Sequence, residues 1–252
     1  HVRPVLNMKD GADVAKMRAI AEECFALVRE YKGSHSGEHG DGIVRSEFNE
    51  PMFGPRIARA FEEVKDAFDP NAQLNPGRVV RAPKMDDRTL FRYAPGYAAD
   101  GAIAPVLDWS AYPGPLGGML GAVEMCNNNG TCRKFDANVM CPSYRATRDE
   151  QHLTRGRANT LRLALTRQIP GGLASAEVAD ALKLCVSCKG CKRECPTGVD
   201  MARMKIEVLA AQAKQHGIGW RDRIIATMPR WARWASLVPP LANARDWVPG
   251  LA

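Results

Sequence analysis

The feature that most constrains this chain of 252 residues is a compact run of cysteines. The run consists of Cys185, Cys188, Cys191 and Cys195, followed directly by Pro196. A short loop of this kind can aim three thiolates at one iron–sulfur cube, and the fourth cysteine ligates a second cluster in two-cluster proteins. A structural zinc site would need two cysteine pairs with a longer spacer, so the run favours iron–sulfur over zinc.

A second cysteine motif lies upstream of the first. It consists of Cys126, Cys132 and Cys141, the last followed by Pro142. When the two motifs are aligned on their first cysteines, Cys126 and Cys185, Asn129 stands where a second cysteine would be. The upstream motif therefore supplies one thiolate fewer than the downstream motif.

The exchange of final cysteines between motifs divides the ligands into two sets. One complete 4Fe–4S cluster is predicted on Cys185, Cys188, Cys191 and Cys141. The other cluster receives Cys126, Cys132 and Cys195. It either loses one iron and becomes 3Fe–4S, or keeps that iron on Asn129, water or another oxygen or nitrogen ligand. The Cys-x5-Cys spacing resembles the three-iron site of the iron–sulfur subunit of succinate dehydrogenase, which favours a labile fourth iron.

The charge of the chain is concentrated in the half that holds these motifs. Residues 1–125 carry a net charge of −3 and residues 126–252 a net charge of +10. A basic half can bind nucleic acid or an anionic membrane, but it can also house anionic thiolate-bound clusters. Because no nucleic-acid-binding fold is recognisable, the clusters are the favoured explanation and no nucleic-acid partner is expected.

Apolar periodicity also predicts two helices in the first half of the chain, one from Ala12 to Tyr31 and one that begins at Pro55 and ends at Asp69-Pro70. Cys24 and Tyr31 lie on the apolar stripe of the first of these helices, and Cys24 is expected to be a buried thiol rather than a ligand.

Around the cysteines, the pattern predicts helices at 155–168, 176–185, 199–216 and 219–227. With its two Cys-Pro motifs, the region of about residues 115–215 resembles the helical two-cluster ferredoxin domain found in fumarate reductase, glycerol-3-phosphate dehydrogenase and glycolate oxidase subunits. This resemblance implies electron transfer and leaves the substrate open.

A glycine-rich loop near residue 38 is the other candidate site. The segment Ser36-Gly37-Glu38-His39-Gly40-Asp41-Gly42 places two carboxylates and an imidazole among glycines. Glycines let a backbone pass close to a ligand, with the two side chains of Glu38 and His39 projecting toward it. Composition alone leaves a turn with solvated charges equally open.

Two segments, "SGEHGDG" and "FDPNAQLNPGRVV", resemble the C-terminal end of the FAD-linked oxidases of the vanillyl-alcohol-oxidase type, in the branch of the D-lactate, glycolate and D-2-hydroxyglutarate dehydrogenases. The resemblance covers about residues 1–82. It implies FAD, with Glu38 as a ligand of a divalent metal, Zn or Mn, that holds a 2-hydroxy acid. It implies that His39 takes the hydroxyl proton and that His1 is a second metal ligand.

Three further residues are weaker candidates. Asn75 and Arg78 lie in an Asn-Pro-Gly-Arg turn on the expected flavin side. Arg45 either binds a substrate carboxylate through its bidentate fork or is a surface arginine.

The predicted fold is α+β at the N-terminus, followed by an all-α ferredoxin-like domain. The C-terminal part of an FAD-linked oxidase domain occupies residues 1–82, with strands in the first ten residues and at Arg78–Arg81. A linker follows at 83–118, and the two-cluster domain occupies 119–216. Residues 217–252 form a tail rich in Trp and Arg, which is expected to dock onto a domain that this chain lacks, or to lie on a membrane surface.

The chain begins with His1 and shows no leader, so it is expected to be a piece of a longer polypeptide whose N- and C-terminal portions are missing. Its expected location is the cytoplasm or the inner face of a membrane. The predicted function is that of a segment of a flavin and iron–sulfur dehydrogenase acting on a D-2-hydroxy acid of the D-lactate or D-2-hydroxyglutarate type. Electrons would pass through two clusters to a quinone, cytochrome or other carrier. The alternative is a non-catalytic electron-transfer module, and the isolated chain is expected to be inactive.

Overall fold

The computed structural model describes residues 3–112, 117–239 and 243. The chain divides into two compact units, residues 1–97 and 98–252. Helices and turns make up both units, and none of the described residues lies in a β-strand. The predicted α+β class is therefore not confirmed for the first unit, whereas the all-α class of the second unit agrees with its helices.

Three helices form the frame of the first unit: α1 (Gly11–Glu30), α2 (Asn49–Phe53) and α3 (Pro55–Phe68). The Asp10 side chain caps α1 by accepting the amide of Ala12 at 3.0 Å. Pro55 occupies the first turn of α3, where its missing N–H costs no helical hydrogen bond. Both long helices agree with the apolar periodicity of the sequence.

The prediction of two strands in the first unit is wrong for the residues that the structure describes. Residues 3–7 have no regular secondary structure, and Arg78–Arg81 is a series of bends. Val79 and Arg81 have φ of 67° and 52°, which lie outside the β region. The carbonyl of Val79 accepts a hydrogen bond from the Asn49 side chain at 2.9 Å. This segment is therefore held by hydrogen bonds to side chains and not by the ladder of backbone hydrogen bonds that the predicted strand would have.

The packed side of α1 also differs from the predicted stripe. Val14 is buried, and the Phe25 ring lies against the Phe48 ring with centroids 4.2 Å apart. These contacts turn Cys24 and Tyr31 to the flank of the helix, where both are exposed. The prediction that Cys24 is a buried thiol is therefore wrong.

The second unit contains seven helices among its described residues. They are α4 (Gly118–Glu124), α5 (Pro142–Thr147), α6 (Thr154–Leu165), α7 (Ala176–Lys183), α8 (Gly190–Glu194), α9 (Met201–His216) and α10 (Trp220–Ala235). Helix α6 packs against α4, α7 and α9. Its Leu161 is fully buried, as are Val178 of α7 and Met204 of α9. The four predicted helices are confirmed, and the last one continues past Pro229 to Ala235.

The predicted linker at 83–118 is divided between the two units. In the first unit, the amide of Met85 donates to the Glu47 carboxylate at 2.6 Å. In the second unit, the buried Glu207 carboxylate accepts from the amides of Val106 and Leu107 and from the indole of Trp109, each at 2.8 Å. Each half of the segment is thus tied to its own unit.

The described part of the C-terminal tail is helix α10, whose Trp231 and Trp234 are exposed. Trp247 and Arg245 of the predicted tail lie outside the described residues. None of the helices described here is both long enough and apolar enough to cross a membrane.

Candidate functional site

Four cysteine side chains converge on one cavity of the second unit. They are Cys141, Cys185, Cys188 and Cys191, and we refer to them as the four-cysteine group. Cys141 and Cys191 are buried, whereas Cys188 is exposed. Ser187 and Lys189 have left-handed φ of 55° and 60°, which makes the short loop between Cys185 and α8 turn tightly. The structure thus brings together the same four cysteines that the motif exchange assigned to one cluster.

A buried arginine lines the same cavity. The Arg157 side chain is only 1 % exposed, and its Nη1 lies 3.5 Å from the Sγ of Cys141. Within the described residues, no carboxylate lies within ion-pair distance of this guanidinium. A buried charge without a partner is strongly unfavourable, so the site needs anions in the cavity. Four thiolates carrying an iron–sulfur cluster supply such anions, and the residues present fit that cofactor.

Burial raises the pKa of two of the cysteine thiols, those of Cys132 and Cys191. For Cys132, burial together with the neighbouring Cys126 raises the pKa to about 11. Iron binding must therefore displace protons from these thiols. Cys195 behaves differently, because hydrogen bonds from Thr197 and nearby amides outweigh its partial burial and lower its pKa.

The other three cysteines of the second unit form what we call the three-cysteine group: Cys126, Cys132 and Cys195. Cys126 and Cys132 are buried on either side of a turn and are close enough to interact electrostatically. The Cys195 Sγ lies 3.3 Å from the Thr197 hydroxyl within its own turn. This group contains one thiol fewer than the four-cysteine group.

Asn129, one of the alternative ligands considered for the three-cysteine group, forms its hydrogen bonds within its own turn. The Asn129 Oδ1 accepts the amide of Thr131 at 2.8 Å, and its Nδ2 donates to Asn127 at 2.6 Å. The amide oxygen of Asn128 instead lies 3.7 Å from the Cys126 Sγ. Sequence reasoning missed Asn128 because three consecutive asparagines offer the same chemistry, and only the left-handed φ of 64° at Asn128 distinguishes it.

In the first unit, the glycine-rich loop brings Glu38 and His39 together. The Nε2 of His39 lies 3.4 Å from the Oε1 of Glu38, and the two side chains are 59 % and 73 % exposed. Three glycines, Gly37, Gly40 and Gly42, have φ of 52°, 71° and 59°, which explains why this loop needs glycine. His1 lies outside the described residues. Over the described ranges, no three His, Cys, Asp or Glu side chains are arranged to hold a single metal ion.

Two side chains support the loop from behind. The guanidinium of the half-buried Arg45 donates to the carbonyls of Ser36 and Gly40, at 3.3 and 3.5 Å. The His35 side chain is fully buried, with its Nε2 3.3 Å from the Asp41 carboxylate. Sequence reasoning did not single out His35, because nothing in a glycine-rich segment indicates which polar side chain turns inward.

Asn75 and Arg78, the predicted flavin-side residues, are exposed in the turn after α3. The Asp69 carboxylate holds the start of this turn by accepting the amides of Gln73 and Leu74 at 2.9 and 2.8 Å. The amide of Val79 then donates to the carbonyl of Gly42 at 3.1 Å. The turn is therefore fastened to the loop that carries Glu38 and His39.

Two protein families match this chain, one in each of its two units. Residues 1–79 match the FAD linked oxidases, C-terminal domain, and residues 122–199 match the 4Fe-4S dicluster domain. The chain joins the end of an FAD-linked oxidase to a dicluster domain. All seven cysteines of the two groups lie within the dicluster domain, and Glu38, His39, Arg45, Asn75 and Arg78 lie within the oxidase domain.

Several curated relatives match both domains together. The D-2-hydroxyglutarate dehydrogenase of Pseudomonas putida is 30% identical over 97% of this chain and 27% of its own length. The enzyme of the same name from Escherichia coli is 29% identical over 96% of this chain and 26% of its own length. The D-lactate dehydrogenase of Anaerostipes hadrus is 34% identical over 29% of this chain and 15% of its own length. The chain spans about a quarter of the length of the first two relatives, and no solved structure matches it significantly.

Proposed function

We propose that this chain is the segment of a flavin- and iron–sulfur-dependent dehydrogenase that links oxidation of a D-2-hydroxy acid to one-electron transfer. The substrate would be of the D-2-hydroxyglutarate or D-lactate type. The observation that carries this proposal is the continuous similarity of both domains, over 97% of the chain, to a D-2-hydroxyglutarate dehydrogenase. The alternative, an electron-transfer module without catalytic residues, would not need the Glu38–His39 pair.

The four-cysteine group would hold a 4Fe–4S cluster, and the three-cysteine group a 4Fe–4S or 3Fe–4S cluster. When bound, the flavin would accept a hydride, and the clusters would pass electrons singly to a quinone, cytochrome or other carrier. Cys141 and Arg157 would shield one side of the cluster in the four-cysteine group from water, since both are buried, whereas Cys188 is exposed.

His39 would act as the general base. Its imidazole is exposed on a loop of glycines, so a bound 2-hydroxy acid can bring its hydroxyl group within hydrogen-bond distance of a ring nitrogen. Glu38 would ligate a divalent metal, Zn or Mn, together with His1, because hard carboxylate and imidazole donors suit these ions. Arg45 is proposed to orient the loop and the substrate carboxylate, and Asn75 and Arg78 to lie on the flavin side.

Dye reduction tests this proposal, with D-2-hydroxyglutarate, D-lactate and glycolate as substrates. The protein to assay is the full-length, flavin-loaded enzyme of which this chain would be a segment, here called the holoenzyme. Removal of a general base typically costs about 10²–10⁴-fold, so we expect His39→Asn to lower kcat by at least about 10²-fold. We expect Glu38→Gln to raise KM as well. Glu50→Gln is the matched control, because Glu50 is an exposed carboxylate of the same unit.

The cluster signals in electron paramagnetic resonance should be the same in all four proteins. A His39→Asn holoenzyme with the wild-type rate would contradict the catalytic assignment and favour the electron-transfer module.

A further inference from the structure

The buried guanidinium of Arg157 has no role in the assignments made so far. Arg157 lies in α6, and its side chain is almost completely excluded from solvent. It donates to the Ala181 carbonyl through Nε at 2.8 Å, to the Ser143 hydroxyl through Nη2 at 2.8 Å, and to the Cys141 Sγ through Nη1 at 3.5 Å. Two of the acceptors are neutral, so only the Cys141 sulfur, as a thiolate, can balance the charge.

These contacts join the two cysteine motifs. Ala181 belongs to the last turn of α7, directly before the segment that carries Cys185, and its carbonyl lacks a helical partner at that end. Ser143 lies in the first turn of α5, two residues after Cys141, and also donates to the His152 carbonyl at 2.8 Å. One side chain therefore fixes the Cys141 segment relative to the end of α7.

A neighbouring arginine on the same helix serves as a contrast. The Arg155 side chain is 25 % exposed and forms an ion pair with Glu150 at 2.7 Å. Its charge is thus neutralised by a carboxylate and screened by water. Arg155 interacts with Cys132, a predicted ligand of the other cluster, but its charge is already paired. The guanidinium of Arg157 is neither paired with a carboxylate nor exposed to water, and it lies against Cys141.

We propose that Arg157 is a positioning residue that raises the reduction potential of the cluster held by the four-cysteine group. The inference rests on the proposed function, since it requires a cluster at these cysteines. One-electron reduction adds a negative charge to the thiolate-bound iron, and a fixed positive charge nearby favours the reduced form. Hydrogen bonds to cluster sulfurs act in the same direction.

Redox titration of the cluster-loaded protein, followed by electron paramagnetic resonance, tests the inference. We expect Arg157→Gln to lower the equilibrium constant for reduction of one cluster about tenfold, which corresponds to about 59 mV for a one-electron couple. Arg157→Lys retains the charge and should shift the potential less. The control is Arg162→Gln, which removes a buried arginine of the same helix that does not line the cavity.

An Arg157→Gln protein that holds both clusters at wild-type potentials would overturn the inference. If that variant loads no cluster, wild-type protein grown with nitrogen-15 arginine decides the question. Pulsed electron paramagnetic resonance of the reduced protein should then show a nitrogen-15 coupling to one cluster, and the absence of that coupling would equally overturn the inference. Wild-type protein that binds no cluster at all would instead contradict the proposed function.

Discussion

The two units hold their candidate residues in opposite ways. In the first unit, Glu38 and His39 project from a glycine-rich loop and are mostly exposed. In the second unit, Cys141 is buried and Arg157 lies against it in a cavity lined by four cysteines. A general base must reach a substrate, whereas a cluster gains from a dry site with a fixed counter-charge. The difference is the one that the proposed roles require, with buried cofactor ligands in the second unit and exposed groups that meet a substrate in the first.

The contrast between the two units would be contradicted most directly if the buried cysteines of the second unit were dispensable for iron binding. We expect Cys141→Ser to abolish the cluster of the four-cysteine group, because a thiolate ligand is lost from a buried cavity, and to remove about half of the bound iron. Iron and sulfide analysis of the purified protein measures this loss. Cys24→Ser, the same change at an exposed position, should leave the iron content at the wild-type value. Equal iron in Cys141→Ser and wild type would contradict the assignment.

The second test concerns the two cysteine groups within the second unit. Mild oxidation should produce a three-iron signal from the three-cysteine group, because only three thiolates hold that cluster. A cysteine at the open ligand position should abolish the signal by supplying a fourth thiolate. The motif alignment places that position at residue 129, so by that alignment Asn129→Cys removes the signal, whereas the contact with Cys126 favours residue 128. Electron paramagnetic resonance of the oxidised proteins records the outcome.

Asn128→Cys and Asn127→Cys are the matched variants for that test. Because Asn128, rather than Asn129, lies near Cys126, loss of the signal in Asn128→Cys alone would assign the open position to residue 128. A wild-type protein without a three-iron signal under any oxidant would contradict the labile-iron hypothesis.

The third test compares the exposed and buried histidines of the first unit. The His35 side chain is enclosed by the rings of Phe25 and Phe53, so His35→Ala should lower the free energy of unfolding by about 2–4 kcal/mol. His39→Ala should change it by less than about 0.5 kcal/mol, because the side chain is exposed. Hydrogen exchange of α1 and α3, followed by mass spectrometry, measures both effects. Equal destabilisation by the two substitutions would show that the loop itself is part of the core.

The smallest expected effect is a pH dependence confined to the first unit. Hydrogen bonds from Lys65 and from the amides of Leu74 and Gln73 lower the pKa of Asp69 from 3.8 to about 2. The carboxylate therefore stabilises the unit fully above about pH 4, and this contribution is lost as the pH falls toward 2. The difference in pepsin susceptibility between Asp69→Asn and wild type should be constant from pH 5 to about 4 and vanish near pH 2. A difference that persists at pH 2 would contradict this assignment.

Local chemistry made part of this structure predictable. The spacing of the cysteines is a property of a short loop, so the four-cysteine group could be derived from the motifs before any fold was known. Apolar periodicity likewise located α1 and α3. The features that the sequence did not predict depend on how the helices pack. Cys24 turned outward because the Phe25 ring, one residue further on, takes the packed side of α1.

Other residues had no local signal at all. Arg157 is one of three arginines in α6, and nothing in their order shows which one lies in the cavity. The strand predicted at Arg78–Arg81 failed because β-branched residues also occur in bends, and the left-handed φ of Val79 is set by its contacts with Gly42 and Asn49.

The central claim is that electrons taken from a 2-hydroxy acid at the flavin leave through the clusters of this chain. The direct test is anaerobic addition of D-2-hydroxyglutarate to the oxidised holoenzyme, with freezing at intervals and electron paramagnetic resonance of each sample. We predict that reduced-cluster signals grow as the flavin absorbance falls, and that the L-enantiomer produces neither change. Bleaching of the flavin with clusters that stay oxidised would contradict the claim.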